Sequence, residues 1–252
     1  MVKEVRRALS RGELLVHGEY AGALALDSPH LLEEAIAAGL TIDAVLFVEE
    51  MEKRVRGTAL YRLSPAAFKK IVSTESPRGV IALVRPREWT AHELFQPAPA
   101  LVLILAAIQD PGNAGTLLRT AEAFGSTGAL LLRGTVHATN PKLLRGAAGS
   151  TFRLPHLAGV QLDQALAMCA VNGATVLALD PRAKESLDDV DLRGPVAIAV
   201  GAEGAGLPPD LLDNARAVSI PRARRVESLN AAVAGSLALY EAARQRSPQR
   251  GG

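Results

Sequence analysis

Apolar and polar positions change character near residue 100. Beyond it, Leu101–Ile108, Ala129–Leu132, Thr175–Leu179 and Val196–Val200 are apolar at nearly every position. Unbroken runs of this kind, bounded by turn residues, fit strands buried on both faces, as in a parallel sheet. Between and after them, Gly115–Phe124, Pro141–Ala148, Leu162–Val171 and Leu229–Arg246 read as helices. The alternation predicts an open α/β sheet with its ligand site at the carboxyl ends of the strands. Earlier elements are shorter. Leu14–Glu19 reads as a strand and turn, and His30–Ala38 as a helix with Leu31, Leu32, Ala35 and Ile36 on one face. Ala44–Val48 and Gly79–Val84 read as strands, and Ser64-Pro65 is a favoured helix start. The connector Gln96–Ala100 separates the patterns, giving a small α/β unit over 1–96 and a larger one over 101–252.

With 252 residues, 48% of them hydrophobic, the chain can build a real core in one or two domains. No apolar run approaches the roughly 20 residues of a membrane span. The opening MVKEVRRALSRGE lacks a signal-peptide core, so a cytoplasmic protein is expected. The single cysteine, Cys169, lies in an apolar segment and reads as an inert buried thiol, with no partner for a disulfide. The histidines form no His-x-x-x-His pair, so no metal is expected. A net charge of +2 argues against a generic polycation. The arginines are nonetheless clustered: Arg6, Arg7 and Arg11 open the chain, and Arg216, Arg222, Arg224 and Arg225 surround its last loops. Such clusters suit phosphate contacts.

Three loops at strand ends hold the candidate chemistry. The first contains Asp110-Pro111-Gly112-Asn113, with Asn113 read as a helix cap beside an anion-binding helix start and Arg119 six residues on. The second, Gly201-Ala202-Glu203-Gly204-Ala205-Gly206-Leu207, is neither a dinucleotide fingerprint nor a Gly-x-x-x-x-Gly-Lys-Ser/Thr loop. Glu is a poor turn residue beside Asp or Asn, so Glu203 points to a working role. A short polar helix and a brief strand ending at Ile220-Pro221 follow, and the third loop delivers Ser228-Leu229-Asn230 to the last helix. Ser228 reads as the cap of that helix and Asn230 as part of its first turn. Leu229, Val233, Leu237 and Tyr240 form an apolar stripe among unusually small residues, suiting close packing within the domain or against a second subunit.

Asn113-x-Gly115-x-x-x-Arg119, Gly201-x-Glu203-Gly204-x-Gly206-Leu207 and Ile220-Pro221…Glu227-Ser228-Leu229-Asn230 together resemble the three ordered motifs of the SpoU (TrmH-like) RNA 2′-O-ribose methyltransferases, of the SPOUT superfamily. Arg145-Gly146-Ala147-Ala148-Gly149-Ser150 resembles another family segment, and the likeness covers roughly Leu101 to Arg246. Leu14–Glu19 and Pro77–Val84 are similar to parts of the small substrate-binding domain that many members carry. The resemblance implies an α/β fold with an open parallel sheet and a C-terminal trefoil knot, which periodicity alone does not reveal. It also implies a homodimer with the last helix near the interface, S-adenosylmethionine bound in the knot, and an RNA substrate, ribosomal before transfer RNA. By position, Leu179, Gly201, Ile220 and Leu229 would hold the cofactor, and Asn113, Arg119, Glu203, Ser228 and Asn230 would form the reaction site. Arg6, Arg7, Arg11, Arg145, Arg222, Arg224 and Arg225 would contact RNA. The family usually reads Ile-Pro-Met-x-Gly where this chain has Ile220-Pro221-Arg222-Ala223-Arg224, which places the local loop shape in question.

The implied reaction is in-line methyl transfer from a sulfonium to a ribose 2′-hydroxyl. The family view makes Arg119 the general base; a charged Arg119 would instead hold the neighbouring phosphate and stabilise the developing alkoxide. Three other readings stay open: an RNA-binding protein that has lost the chemistry, an α/β enzyme using Gly201–Gly206 as a phosphate loop, and an RNA base methyltransferase.

Overall fold

The computed structural model describes residues 2–48, 58–72, 79–223 and 227–247. Arg224, Arg225 and Pro77, named above, lie outside them. The first part comprises α1 (Val2–Arg11), β1 (Leu24–Leu26), α2 (Pro29–Ala37), β2 (Ile42–Phe47), β3 (Ala59–Arg62), α3 (Pro65–Lys69) and β4 (Val80–Val84). Its four strands form one sheet in the order β1-β4-β2-β3, with β2 and β3 parallel and the other pairs antiparallel. Helix α1 packs Val5, Ala8 and Leu9 under one face of this sheet. Their i, i+3, i+4 spacing is present in the sequence, but the surrounding charges obscure it. Ser64 caps α3 as expected, its Oγ accepting from the Ala67 N–H at 3.2 Å.

The expected strand at Leu14–Glu19 does not form. The Val16 and His17 N–H groups donate to the Glu4 carboxylate, and Leu15 pairs with Gly22 and Ala23 across a tight turn. The strand begins later, at Leu24–Leu26, where all three side chains are buried. Ile36 also departs from the expected helix face and is exposed, while Leu31, Leu32 and Ala35 are buried.

After α4 (Ala91–Leu94), the second part runs β5 (Leu101–Ala106), α5 (Pro111–Ala123), β6 (Gly128–Leu132), α6 (Pro141–Ala147), α7 (Ser150–Arg153) and β7 (His156–Val160). It continues with α8 (Leu162–Val171), β8 (Thr175–Leu179), β9 (Val196–Gly201), α9 (Pro209–Asp213), β10 (Arg216–Val218) and α10 (Ala231–Arg246). Six strands form an open, wholly parallel sheet in the order β10-β8-β9-β5-β6-β7. Alternate residues of β5 feed two cores. Leu101, Leu103 and Leu105 meet α5 and α10, whereas Val102, Ile104 and Ala106 meet α4, α8 and α9. The sheet is therefore covered on both faces, the reason its strands read as continuous apolar runs. Cys169 is buried in the second of these cores, and burial pushes its thiol pKa up to about 11, consistent with an inert group.

The two parts share a packed boundary. Leu144 of α6 and Phe152 of α7 join a core built from β1, α2, β2 and β4. Arg153 donates to Glu122 of α5 and Glu34 of α2, and Arg145 donates to Asp27 at 3.2 Å. A Cβ at Gly149 would run into the Glu34 side chain, so the 145–150 segment sits flush against the first part.

Two helix starts differ from expectation. Asp110, not Asn113, caps α5, its Oδ1 accepting from the Asn113 N–H at 2.7 Å. Asn230, not Ser228, caps α10, with its Oδ1 accepting from Val233 at 3.1 Å. Both substitutes are amply qualified cap residues, and proline at the first position of α5 favours Asp110 immediately before it. The last helix also buries most of its small residues: Ala231, Ala232, Gly235, Ala238 and Ala242 face inward, together with Leu239. A Cβ at Gly235 would collide with Leu117 of α5 and meet Val200 of β9, so the close approach requires glycine.

Candidate functional site

The carboxyl ends of β8, β9 and β10 open onto a cavity of about 420 Å³, where Leu179, Gly201 and Val218 are strand-end residues lining the wall. That volume falls within the roughly 300–1,000 Å³ typical of small-molecule sites. Ile220, Ser228, Leu229 and Asn230 complete its other side. The four residues expected to hold a cofactor thus share one cavity.

Its floor is built from backbone. Ala202 and Gly206 exchange two N–H to carbonyl bonds, at 2.9 and 3.1 Å, closing a tight loop immediately after β9. A Cβ on Gly201 would collide with the backbone of Gly206 and Leu207. Gly206 adopts a left-handed backbone, with φ of +71°, which favours glycine. The glycine spacing is therefore a packing requirement at the cavity floor.

Three loops distant in sequence meet beside this floor. The Asn113 amide donates to Glu203 Oε1 at 2.9 Å, and the Asn230 amide donates to the same oxygen and to Asn113 Oδ1 at 3.2 Å. Asn230 simultaneously caps α10, so the helix start and the polar network share one side chain. The Ser228 hydroxyl lines the cavity without a hydrogen-bond partner among the described residues.

Other expected residues lie elsewhere. Arg119 is exposed on α5, does not line the cavity and has no hydrogen bond or ion pair among the described residues. Arg145 is turned toward Asp27. Arg6, Arg7 and Arg11 share one groove along α1 with Lys3 and Ser10. Arg7 pairs with Glu13 at 2.6 Å, and Gly12 beyond the helix is seated against the backbone of Thr139 and Asn140. Arg216 pairs with Glu185 at the edge of the sheet. Arg222 does line the cavity, and its Nη2 donates to the Pro181 carbonyl at 2.9 Å.

Asp180 is a cavity residue absent from the sequence-based set. It follows directly on β8, and an acid at the carboxyl end of a parallel strand is the available signal. The Arg182 guanidinium bonds both its oxygens, at 3.1 and 3.2 Å, and holds its carboxyl below the usual range. Among the described residues, no group of three His, Cys, Asp or Glu side chains could hold a metal ion. No described helix is long and apolar enough to cross a membrane.

Residues 100–240 match the family model described as SpoU rRNA Methylase family. The chain belongs to the SpoU family of RNA methyltransferases. A tRNA/rRNA methyltransferase of Synechocystis sp., described as uncharacterized, is 36% identical, covering 89% of this chain and 85% of its own. A 23S rRNA (guanosine-2′-O-)-methyltransferase of Xylella fastidiosa is 32% identical, over 88% of this chain and 91% of its own. The crystal structure of an RNA 2′-O ribose methyltransferase superposes with a TM-score of 0.79 and 33% identity, covering 97% of this chain and 95% of that one. The SpoU resemblance carried by the three motifs therefore holds, as does the parallel α/β sheet it implies.

Proposed function

We propose that this SpoU-family chain transfers a methyl group from S-adenosylmethionine to a ribose 2′-hydroxyl of RNA, with ribosomal RNA the favoured substrate. The observation carrying this reading is the joining of Asn113, Glu203 and Asn230 beside a cavity floored by the Gly201–Gly206 backbone. The Xylella relative's name supports ribosomal RNA and the 2′-oxygen.

The cavity suits the cofactor in size, and its glycine floor suits a ligand held by main-chain groups. Leu179, Gly201, Ile220 and Leu229 would hold it. When bound, the cofactor supplies a methyl already activated by its sulfonium. The chain's tasks are alignment, which in favourable systems supplies up to about 7–11 kcal/mol of the barrier, and stabilisation of charge on the attacking oxygen. Asn113, Glu203 and Asn230 fix the loops to one another, and Ser228, whose hydroxyl has no partner among the described residues, stands at the wall. Arg119 does not line the cavity of its own chain, and in this reading RNA seated beside the cavity, or a second copy, completes the site around it. The groove of Arg6, Arg7 and Arg11 supplies a phosphate-binding surface on the first part, which serves as the substrate-binding unit in a cytoplasmic enzyme. Calorimetry should find one S-adenosylmethionine site per chain; absence of binding would overturn the cofactor assignment.

A trefoil knot accounts for the path of the C-terminal segment. Ser219, just past β10, exchanges backbone hydrogen bonds with Glu185 and Leu187, while Gln245 and Arg246 of α10 bond to Val190, Leu192 and Gly194. The 180–194 connection thus contacts both flanks of the segment. A homodimer accounts for the outer face of α10, where Val233, Leu237 and Tyr240 remain 48%, 43% and 52% exposed. Leu237→Glu should shift the protein to monomer in sedimentation with little loss of fold; an unchanged species would place the interface elsewhere.

Glu203→Ala removes the acceptor shared by two amides. Charge-assisted bonds contribute about 1.5–3 kcal/mol each, and exposure reduces that figure. Turnover should fall about 10-fold or more by the same reasoning, with Glu203→Gln recovering part because it retains an acceptor. Equal rates for wild type and Glu203→Ala would remove the network from the mechanism.

A further inference from the structure

Lys3, Arg7 and Arg11 recur every four residues along one face of α1, and Arg6 joins them in lining its groove. Glu13 takes up part of the charge of Arg7 and Arg11, whereas Lys3 and Arg6 have no ion-pair partner among the described residues. All four side chains donate and none accepts, so the groove suits phosphate oxygens.

The end of α1 is joined to the loops of the candidate site. Thr139 Oγ1 donates to the Gly12 carbonyl. The same stretch is bonded to the end of β5: Thr135 Oγ1 donates to the Leu105 carbonyl and the Val136 N–H to the Ile108 carbonyl, both at 2.9 Å. Asn140 then caps α6, which lies so close to α5 that a Cβ on Gly115 would meet the Leu143 carbonyl oxygen at 2.7 Å. The 135–140 loop is thus held between the α1 groove and the loop that presents Asn113.

His137 is the exposed residue of this bridge, and its chemistry differs from that of the groove. Its Nδ1 lies 2.7 Å from Thr139 Oγ1. That hydroxyl has one proton, and the Gly12 carbonyl, which can only accept, takes it. The His137–Thr139 bond therefore needs its proton on Nδ1. The Thr139 N–H, 3.4 Å from Nδ1, is beyond the usual range for a competing bond. In the neutral imidazole this tautomer makes Nε2 an acceptor, and Nε2 has no partner among the described residues. The sugar–phosphate backbone of RNA offers one kind of donor, the ribose 2′-hydroxyl; its phosphate and ring oxygens only accept.

We propose that His137 is an RNA contact between the α1 groove and the methyl-transfer site, its Nε2 accepting from a ribose 2′-hydroxyl of a strand whose phosphates lie on α1. The inference rests on the RNA methyltransferase reading and deepens it. It names a point, outside the cavity, at which the chain distinguishes RNA from DNA.

The test is binding of a ribosomal RNA hairpin, and of the DNA hairpin of the same sequence, by wild type, His137→Phe, His137→Gln and Arg6→Ala across a salt series. His137→Phe should weaken RNA binding about 5-fold, the scale of one neutral hydrogen bond, and leave DNA binding unchanged. His137→Gln, which places an amide oxygen near the position of Nε2, should fall between wild type and His137→Phe. The salt slope should drop by about 1 in Arg6→Ala, a lost phosphate contact, and stay the same in His137→Phe. Equal losses for RNA and DNA in His137→Phe would mean that the ring only shapes the loop, and would overturn the assignment. A lowered salt slope in His137→Phe would make His137 a cationic phosphate contact and overturn it as well. If wild type methylates RNA and His137→Phe binds RNA as tightly as wild type, this inference fails alone. If wild type neither binds nor methylates RNA, the reading beneath it fails and this inference with it.

Discussion

Arg119→Ala is expected to lower the rate of methyl transfer by about 10²–10³-fold, the usual loss when one positioned donor to a developing oxyanion is removed. Stability should barely move. Arg119 is exposed and bonded to no described residue, so its truncation opens no cavity and orphans no partner. Surface changes of that kind stay within about 0.5 kcal/mol. A guanidinium has five donors and no acceptor, which favours holding a phosphate and stabilising the alkoxide over abstracting its proton. Single-turnover rates measured with RNA above its Kd separate chemistry from binding. A variant that keeps its single-turnover rate and loses only RNA affinity would rule out both catalytic roles.

Gly201→Val should produce the largest effect on cofactor binding. The new side chain would enter the backbone of Gly206 and Leu207, in a loop closed by two backbone hydrogen bonds. Backbone cannot rotate away as a flexible side chain would, so either the end of β9 or the loop must shift. Overpacking of this kind costs about 1–3 kcal/mol, or roughly 2–12 °C in melting temperature for a chain of this size. The same shift displaces the cavity floor, and S-adenosylmethionine affinity should fall by more than about 10-fold, equivalent to 1.4 kcal/mol. Gly204→Asn is the control. It lies in the same loop with open space around its Cβ position, and Asn is among the residues that best tolerate its left-handed φ of +80°. Wild-type cofactor affinity in Gly201→Val would contradict the placement of the site.

The strands of the large sheet are legible in the sequence because both faces of β5, β6 and β9 are buried, leaving almost no polar position to interrupt the pattern. β7 is not legible: His156–Val160 is an edge strand with two exposed positions and a glycine. The small sheet suffers similarly, since β1 has only three residues. Helix starts are misread by a few residues where several cap-capable residues stand close together. Asp110 and Asn113 compete at α5, and Ser228 and Asn230 at α10; tertiary contacts decide between them. Asn113 and Asn230 are the pair drawn to Glu203.

Of the candidate site, the motifs identify which residues meet because each follows a parallel strand, and such loops converge at one edge of the sheet. They do not reveal orientation. Arg145 carries the same charge as Arg222, yet one turns to Asp27 across the inter-unit boundary and the other to the cavity. The α10 stripe is legible as a pattern, but its burial is the reverse of the usual one. Close packing of Gly235 over Leu117 and Val200 draws the small face inward and leaves Val233, Leu237 and Tyr240 outside.

Ribose methylation is read out by incubating the protein with unmodified ribosomal and transfer RNA and methyl-labelled S-adenosylmethionine, then digesting the RNA to nucleosides. Label is expected in a 2′-O-methyl nucleoside, from ribosomal RNA in preference to transfer RNA. Label in a methylated base would leave the fold and cofactor site standing and contradict the proposed reaction.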